Sequence, residues 1–185
     1  MKNIVIIGAG ILGVSAAYHL AKAGESVTVI DRFDKGQATD AAAGIICPWI
    51  SQRRNKAWYN MVKNGAKYYP TLIGQLEADG EMETGYNRVG AISLHKDKEK
   101  LVKMAERAIK RREEAPEIGE VTILSPEETR ERFPVLSEEY GSVHVSGGAK
   151  VNGRALRNAL KNAAKNYGAK FIKGDGGLEV KDNQV

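Results

Sequence analysis

A single cysteine, Cys47, stands in a chain of 185 residues. One thiol cannot close an internal disulfide, which excludes the stapled secreted folds and suits a reducing, cytoplasmic compartment. The histidines are as sparse: His19, His95 and His144 share no zinc-ligand spacing with each other or with Cys47, so no metal site is expected. Their separation from serines and acids defines no hydrolytic triad, and each is read as an ordinary helix or strand residue. Long apolar runs are also missing. No stretch approaches the roughly 20 uncharged residues that cross a bilayer, and no integral membrane segment is expected. Internal repeats and low-complexity tracts are absent too. A net charge of +5 would permit nucleic-acid binding, but the 28 basic residues are spread along the chain and often sit beside the 23 acids. Nucleic acid is therefore not an expected partner.

Glycine, by contrast, is plentiful at 20 residues, and four fall in the opening stretch IVIIGAGILGVSAAYHLAKAGESVTVIDR, with Gly8, Gly10 and Gly13 close together. A secretion signal would also place a basic residue, Lys2, before an apolar run with small residues. The spacing argues otherwise. Asn3 to Ile7 is a short β-branched run ending at Gly8, which reads as a buried parallel strand. From Ile11 the period becomes helical, with Leu12, Ala16, Leu20 and Ala23 on one stripe and Gly24 as the stop. Val27 to Ile30 reads as a second strand ending at Asp31.

Strand, G-A-G-I-L-G, helix, strand and terminal acid follow one another as dinucleotide binding requires. Gly8 permits the tight turn, Gly10 lets the backbone approach a pyrophosphate, and Gly13 lets helix pack closely on strand. The helix start offers free N–H groups and a positive dipole end to phosphates. Asp31 can accept hydrogen bonds from ribose hydroxyls and would repel a 2′-phosphate, which disfavours NADP. Those residues alone leave FAD and NAD both open.

The segment GQATDAAAGIICPW, Gly36 to Trp49, is rich in small side chains where a loop would pass the cofactor. With GAGILG, the pair Asp31-Arg32 and ATDAAAGI at Ala38 to Ile45, the chain resembles the D-amino-acid oxidase family of FAD-dependent oxidoreductases, in its glycine oxidase and sarcosine oxidase-like branch. The resemblance implies that FAD is the cofactor. It implies contacts from Gly8, Gly10, Ile11, Leu12 and Gly13 to the pyrophosphate, and from Asp31 and Arg32 near the adenosine ribose. Thr39, Ala43, Gly44 and Ile45 would run along the rest of the cofactor toward the flavin, and Gly177 would lie at the adenine end. Asp40 departs from the pattern, since serine is common there. A carboxylate at that position must avoid the phosphates or be paired.

The remaining chain reads as alternating elements. Arg53 to Glu77 is an amphipathic helix with Trp58, Met61, Val62, Tyr69, Leu72, Ile73 and Leu76 inward. Tyr86 to His95 is a strand, and Lys96 to Glu114 is a charged helix with Leu101, Met104, Ala108 and Ile109 inward and a solvated KRREE end. Val121 to Leu124 is a strand; Ser125-Pro126 starts a helix that Phe133-Pro134 closes. A helix from Gly153 to Tyr167, stopped by Gly168, leads to a strand at Phe171 and Ile172 that rejoins the parallel sheet. Asp182-Asn183 reads as a hairpin turn whose return strand does not follow, and the chain reads as the N-terminal half of a longer protein with surfaces exposed that a second half would cover.

The expected fold class is α/β: a Rossmann-like FAD/NAD(P)-binding domain with a parallel sheet, at 1–79 and 147–185, interrupted at 80–146 by part of an α+β substrate domain. The expected function is an FAD-dependent oxidoreductase that oxidises an amine or amino acid of the glycine, sarcosine or D-amino-acid type by hydride transfer to the flavin. Catalytic residues are not assignable in this half, which alone is expected to be inactive. The partner is a small-molecule amine or amino acid, and a homo-oligomer is left open. Two alternatives stand beside this reading: a NAD-binding dehydrogenase or sensor, and a noncatalytic fragment serving as an assembly module.

Overall fold

A computed structural model describes residues 1–177 and Glu179. The hairpin turn expected at Asp182-Asn183 lies outside the described residues. The chain divides into two compact units: residues 1–44, 72–85 and 152–185 form the first, and residues 45–71 and 86–151 the second.

The first unit is built on a parallel sheet of β1 (Asn3–Ile7), β2 (Ser26–Asp31) and β9 (Lys170–Lys173), in the order β1-β2-β9. Ile4 stands opposite Val27, and Val29 opposite Phe171, so the last strand does rejoin the sheet of the first two. Helix α1 (Ile11–Lys22) packs on β2 and on α6 (Gly153–Asn166), which buries Leu156, Ala159, Leu160, Ala163 and Ala164. Gly24 and Gly168 follow the two helix ends at φ +87° and +91°, the left-handed conformation that ends a helix.

Helix α1 forms where expected but buries another stripe. Val14, Ala17, Tyr18 and Ala21 face inward, whereas Leu12 is 82% exposed. The close approach of helix to sheet and to α6 selects the alanines and valine for the contact side. Strand β1 likewise differs from a fully buried strand. It has β2 as its neighbour in the sheet and alternates in exposure, with Val5 61% exposed.

Tyr18 crosses the helical layer to a polar clasp. Its hydroxyl donates to Asp79 Oδ2 at 2.6 Å, Lys22 Nζ lies 2.8 Å from the same oxygen, and Tyr167 donates to Asp79 Oδ1 at 2.6 Å. Burial works against the Asp79 charge, but the hydrogen bonds from Lys22, Tyr167 and Tyr18 outweigh it and hold the carboxyl below its ordinary range. The clasp ties α1 and α6 to the residues after helix α3 (Lys56–Ala78), whose last turns belong to this unit and whose earlier turns belong to the second.

The second unit carries two antiparallel sheets. One joins β3 (Ile45–Ile46), β8 (Ala149–Lys150) and β4 (Asn87–Arg88); the other joins β5 (Ala91–His95), β7 (Gly141–Val145) and β6 (Val121–Leu124). The strand expected over Tyr86 to His95 is split, because Val89 and Gly90 both donate to Gly148 O and leave the ladder between β4 and β5. Helix α4 (Lys98–Arg112) covers the larger sheet with Leu101, Met104, Ala105 and Ala108, while Ile109, expected inward, is 46% exposed. Trp49, Ala66, Ala108, Ala115, Ile118 and Val145 form the core here.

Three details of helix ends are informative. Asn55 accepts the Trp58 N–H through Oδ1 at 2.9 Å, which starts α3 later than Arg53. Ser125 and Glu128 close a reciprocal capping box on α5 (Pro126–Arg132), as the Ser-Pro start predicts. The KRREE end of α4 is only partly solvated. Arg111 turns inward, donating to the Trp49 and Ser51 carbonyls and lying 4.3 Å over the Tyr59 ring.

Candidate cofactor site

The turn from β1 to α1 is the centre of the site. Gly8 leaves the strand at φ +100°, a conformation that a side chain would strain, with open space where a Cβ would stand. Gly13 sits on the first turn of α1, where an added Cβ would lie 1.9 Å from Gly8 O. No side chain fits there, so glycine sets how closely the helix approaches the strand end. The first intrahelical bond runs from Val14 N–H to Gly10 O at 3.0 Å, so the N–H groups of Ile11, Leu12 and Gly13 have no acceptor inside the helix.

One of those donors is taken by the chain itself: Ile11 N–H donates to Thr39 Oγ1 at 3.1 Å. Helix α2 (Ala38–Ala41), a single turn in the small-residue segment, carries Thr39 to the start of α1. Leu12 N–H and Gly13 N–H remain for an acceptor from outside the helix, with the positive end of the helix dipole behind them.

Asp31 closes the other side. Its Oδ2 accepts the Ala9 N–H at 2.6 Å and its Oδ1 accepts the Phe33 N–H at 2.5 Å. The carboxylate thus fixes the glycine turn as well as facing the cleft, and an ionised carboxylate has further lone pairs to offer. The backbone after β9 joins here too, where Gly174 N–H donates to Asp31 O at 3.0 Å. Between these segments lies an open cleft of about 250 Å3 lined by Gly8, Ile30, Asp31, Arg32, Gly174 and Gly176. Arg32 is exposed at its edge, with Nε 2.9 Å from Asp34.

The structure therefore brings Gly8, Gly10, Ile11, Asp31 and Thr39 together through hydrogen bonds at one turn, with Leu12 and Gly13 on the first turn of α1 and Arg32 at the rim. Ala43 and Gly44 follow α2 within the same unit. Ile45 opens β3 opposite Lys150 in the second unit, and Gly177 is an exposed residue directly after the Gly174 to Gly176 wall.

Asp40 is paired. Its Oδ1 stands 2.9 Å from Arg157 Nη1 and 3.7 Å from Arg154 Nε, ion-pair distances without hydrogen-bond alignment. Arg157 also donates to the Gln37 side chain. Gly153 completes this support: a Cβ there would stand 2.4 Å from Thr39 O, so the start of α6 abuts the Thr39 turn. Arg157 and Gly153 were not among the expected site residues. The signal that could have found them is a glycine at a helix start behind the capping Asn152, with an arginine one turn on.

The donor set fits a dinucleotide pyrophosphate and ribose. Side chains are absent where the backbone must come close, two N–H groups at a helix start await an anion, and the local carboxylates are held by other groups. Among the described residues no group of three His, Cys, Asp or Glu is placed to hold a metal, and no helix is long and apolar enough to cross a membrane.

The sequence model of the DAO family, FAD dependent oxidoreductase, matches residues 3–184, and the chain belongs to that family. FAD is accordingly its cofactor. Over all 185 residues the chain is 62% identical to an uncharacterized oxidoreductase, YurR, of Bacillus subtilis (strain 168), of which it covers 50%. It is 31% identical over 106 residues to a glycine oxidase of Bacillus licheniformis, covering 55% of this chain and 29% of that one. Among solved structures, an iminodiacetate oxidase from Chelativorans sp. BNC1 superposes with a TM-score of 0.92 at 41% identity, covering 98% of this chain and 49% of that one. The chain thus spans half the length or less of these relatives.

Proposed function

We propose that this chain is the cofactor-holding portion of an oxidase or dehydrogenase acting on an amine that also carries a carboxylate, of the glycine, sarcosine, D-amino-acid or iminodiacetate type. The observation that carries the reading is the likeness to the iminodiacetate oxidase, which extends over 98% of the chain. FAD, when bound, would supply a two-electron acceptor for the oxidation of the carbon bearing the amine.

The chain's own residues bind and orient. Gly8, Gly10, Ile11, Leu12 and Gly13 hold the pyrophosphate against the start of α1, Asp31 receives ribose hydroxyls, and Arg32 guards the rim. Thr39 fixes the entry of α1, Ala43, Gly44 and Ile45 accompany the cofactor toward the flavin, and Gly177 borders the adenine end. In this reading 1–79 and 147–185 serve the cofactor and 80–146 the substrate side, in a cytoplasmic protein that works on a small molecule. Residues that touch the reacting atoms come from beyond this chain, so the chain alone binds FAD and turns nothing over.

The test joins this chain to the second half of the 62% identical relative, loads FAD, and mixes the product anaerobically with glycine, sarcosine, D-alanine and iminodiacetate. Loss of oxidised-flavin absorbance with any of them supports the reading. Full flavin loading with no bleaching by any amine overturns it.

A further inference from the structure

A second polar cavity, of about 450 Å3, lies wholly within the second unit and is lined by none of the residues given a cofactor role. Arg53, Arg54, Lys56, Arg107 and Arg111 line it, and no aspartate or glutamate is among its lining residues. These cations reach it from separate places in the chain. Arg53 and Arg54 lie in the loop before α3, Lys56 begins that helix, and Arg107 and Arg111 are one turn apart on α4.

Basic residues at a helix C-terminus are ordinarily explained by the helix dipole. That accounts for Arg111, whose guanidinium is committed to the Trp49 and Ser51 carbonyls and to the Tyr59 ring. It leaves two observations unexplained. Arg107 Nη1 is buried without a hydrogen-bond partner, although a buried guanidinium nitrogen ordinarily finds an acceptor. The start of the 23-residue helix α3 also opens here. Asn55 Oδ1 takes the Trp58 N–H and Asn55 O the Tyr59 N–H, while Lys56 and Ala57 precede the first intrahelical bond and keep their N–H groups free of it. Buried donor, helix start and five like charges call for the same thing, an oxygen-rich anion.

We propose that this cavity is a binding site for a small anion bearing carboxylate or phosphate oxygens, with the half-buried Arg107 as its anchor and Arg53, Arg54 and the first turn of α3 as its outer contacts. Arg111 shapes the wall and is not the anchor, since its Nη1 is already engaged by two carbonyls and its plane lies over the Tyr59 ring. Burial draws the Arg111 guanidinium down from its ordinary value, with Tyr59 opposing and Arg107 adding a smaller lowering. The proposal does not need the amine-oxidation reading, because none of the individual residues given a cofactor role lines this cavity.

Calorimetry on the full chain, with inorganic phosphate and citrate as separate probes and chloride at matched ionic strength as the reference, tests it. Saturable binding of phosphate, of citrate or of both supports the site and tells the two oxygen chemistries apart. Arg107→Gln is expected to weaken that binding at least tenfold, and Arg53→Gln with Arg54→Gln, on an exposed loop where folding is not at stake, to weaken it severalfold. The FAD response of both variants should be unchanged. No binding beyond chloride, or binding that survives both sets of substitutions, overturns the proposal.

Discussion

Gly13 is the residue on which the geometry of the site depends most narrowly. With 1.9 Å between a would-be Cβ and Gly8 O, Gly13→Ala must push α1 off the strand end. Overpacking of this kind costs about 1 to 3 kcal/mol, so the melting temperature should fall by roughly 2 to 12 °C and FAD binding should weaken with it. Thermal unfolding with and without FAD measures both. Cys47 gives a residue-scale prediction of another kind. Burial pushes its thiol up to about 11, against a lowering contribution from the Ile50 backbone. The folded chain therefore holds about a hundredfold less thiolate near neutral pH than an unperturbed thiol would. Alkylation by iodoacetamide should be slow at neutral pH and accelerate about tenfold per pH unit until the thiol titrates near 11. A fast reaction at pH 7 would show that the thiol is not buried as described. Part of this scale was legible in the sequence and part was not. The roles of Gly8 and Gly13 follow from their spacing, because a tight turn and a close helix crossing have few solutions. That Asp31 would spend its oxygens on Ala9 and Phe33 was not visible, since backbone N–H groups leave no mark in a sequence.

At the scale of elements, the start of α6 props the Thr39 turn, and the Asp40 to Arg157 pair keeps a carboxylate from facing a pyrophosphate unneutralised. Arg157→Gln should weaken FAD binding about tenfold while the helix content holds. Replacing Asp40 by serine in the same chain should recover most of the loss, because the charge that needed a partner is gone. Recovery in the double variant, read by fluorescence titration of FAD, separates this electrostatic role from mere disruption of α6. A capping prediction serves as a contrast. Ser125→Ala opens the capping box of α5 and should cost about 1 kcal/mol of stability without touching FAD affinity. Helix positions were well legible because caps, proline and glycine stops act within a few residues. Helix faces were less so. Leu12 suggested the inner stripe of α1, yet Val14, Ala17, Tyr18 and Ala21 took it, since a neighbouring helix and the clasp at Asp79 decide the contact. Arg111 shows the same limit: its charge predicts solvent, and two carbonyls from a distant loop draw it inward.

For the whole molecule, the parallel order β1-β2-β9 and two antiparallel sheets in a second unit agree with an α/β chain interrupted by an α+β segment. Alternating β-branched runs and helices make that class readable, because a parallel strand pair requires a crossover of that length. The distinction between FAD and NAD was not carried by the glycine turn, which both cofactors share, and rests on the small-residue segment and on family membership. The central claim is that this chain folds a selective FAD grip, and the most direct test is its thermal stabilisation by FAD and by NAD at equal concentrations. The account predicts a concentration-dependent rise in melting temperature with FAD that exceeds the rise with NAD and is lost in Gly13→Ala. A larger rise with NAD, or the same FAD response in wild type and Gly13→Ala, would contradict it.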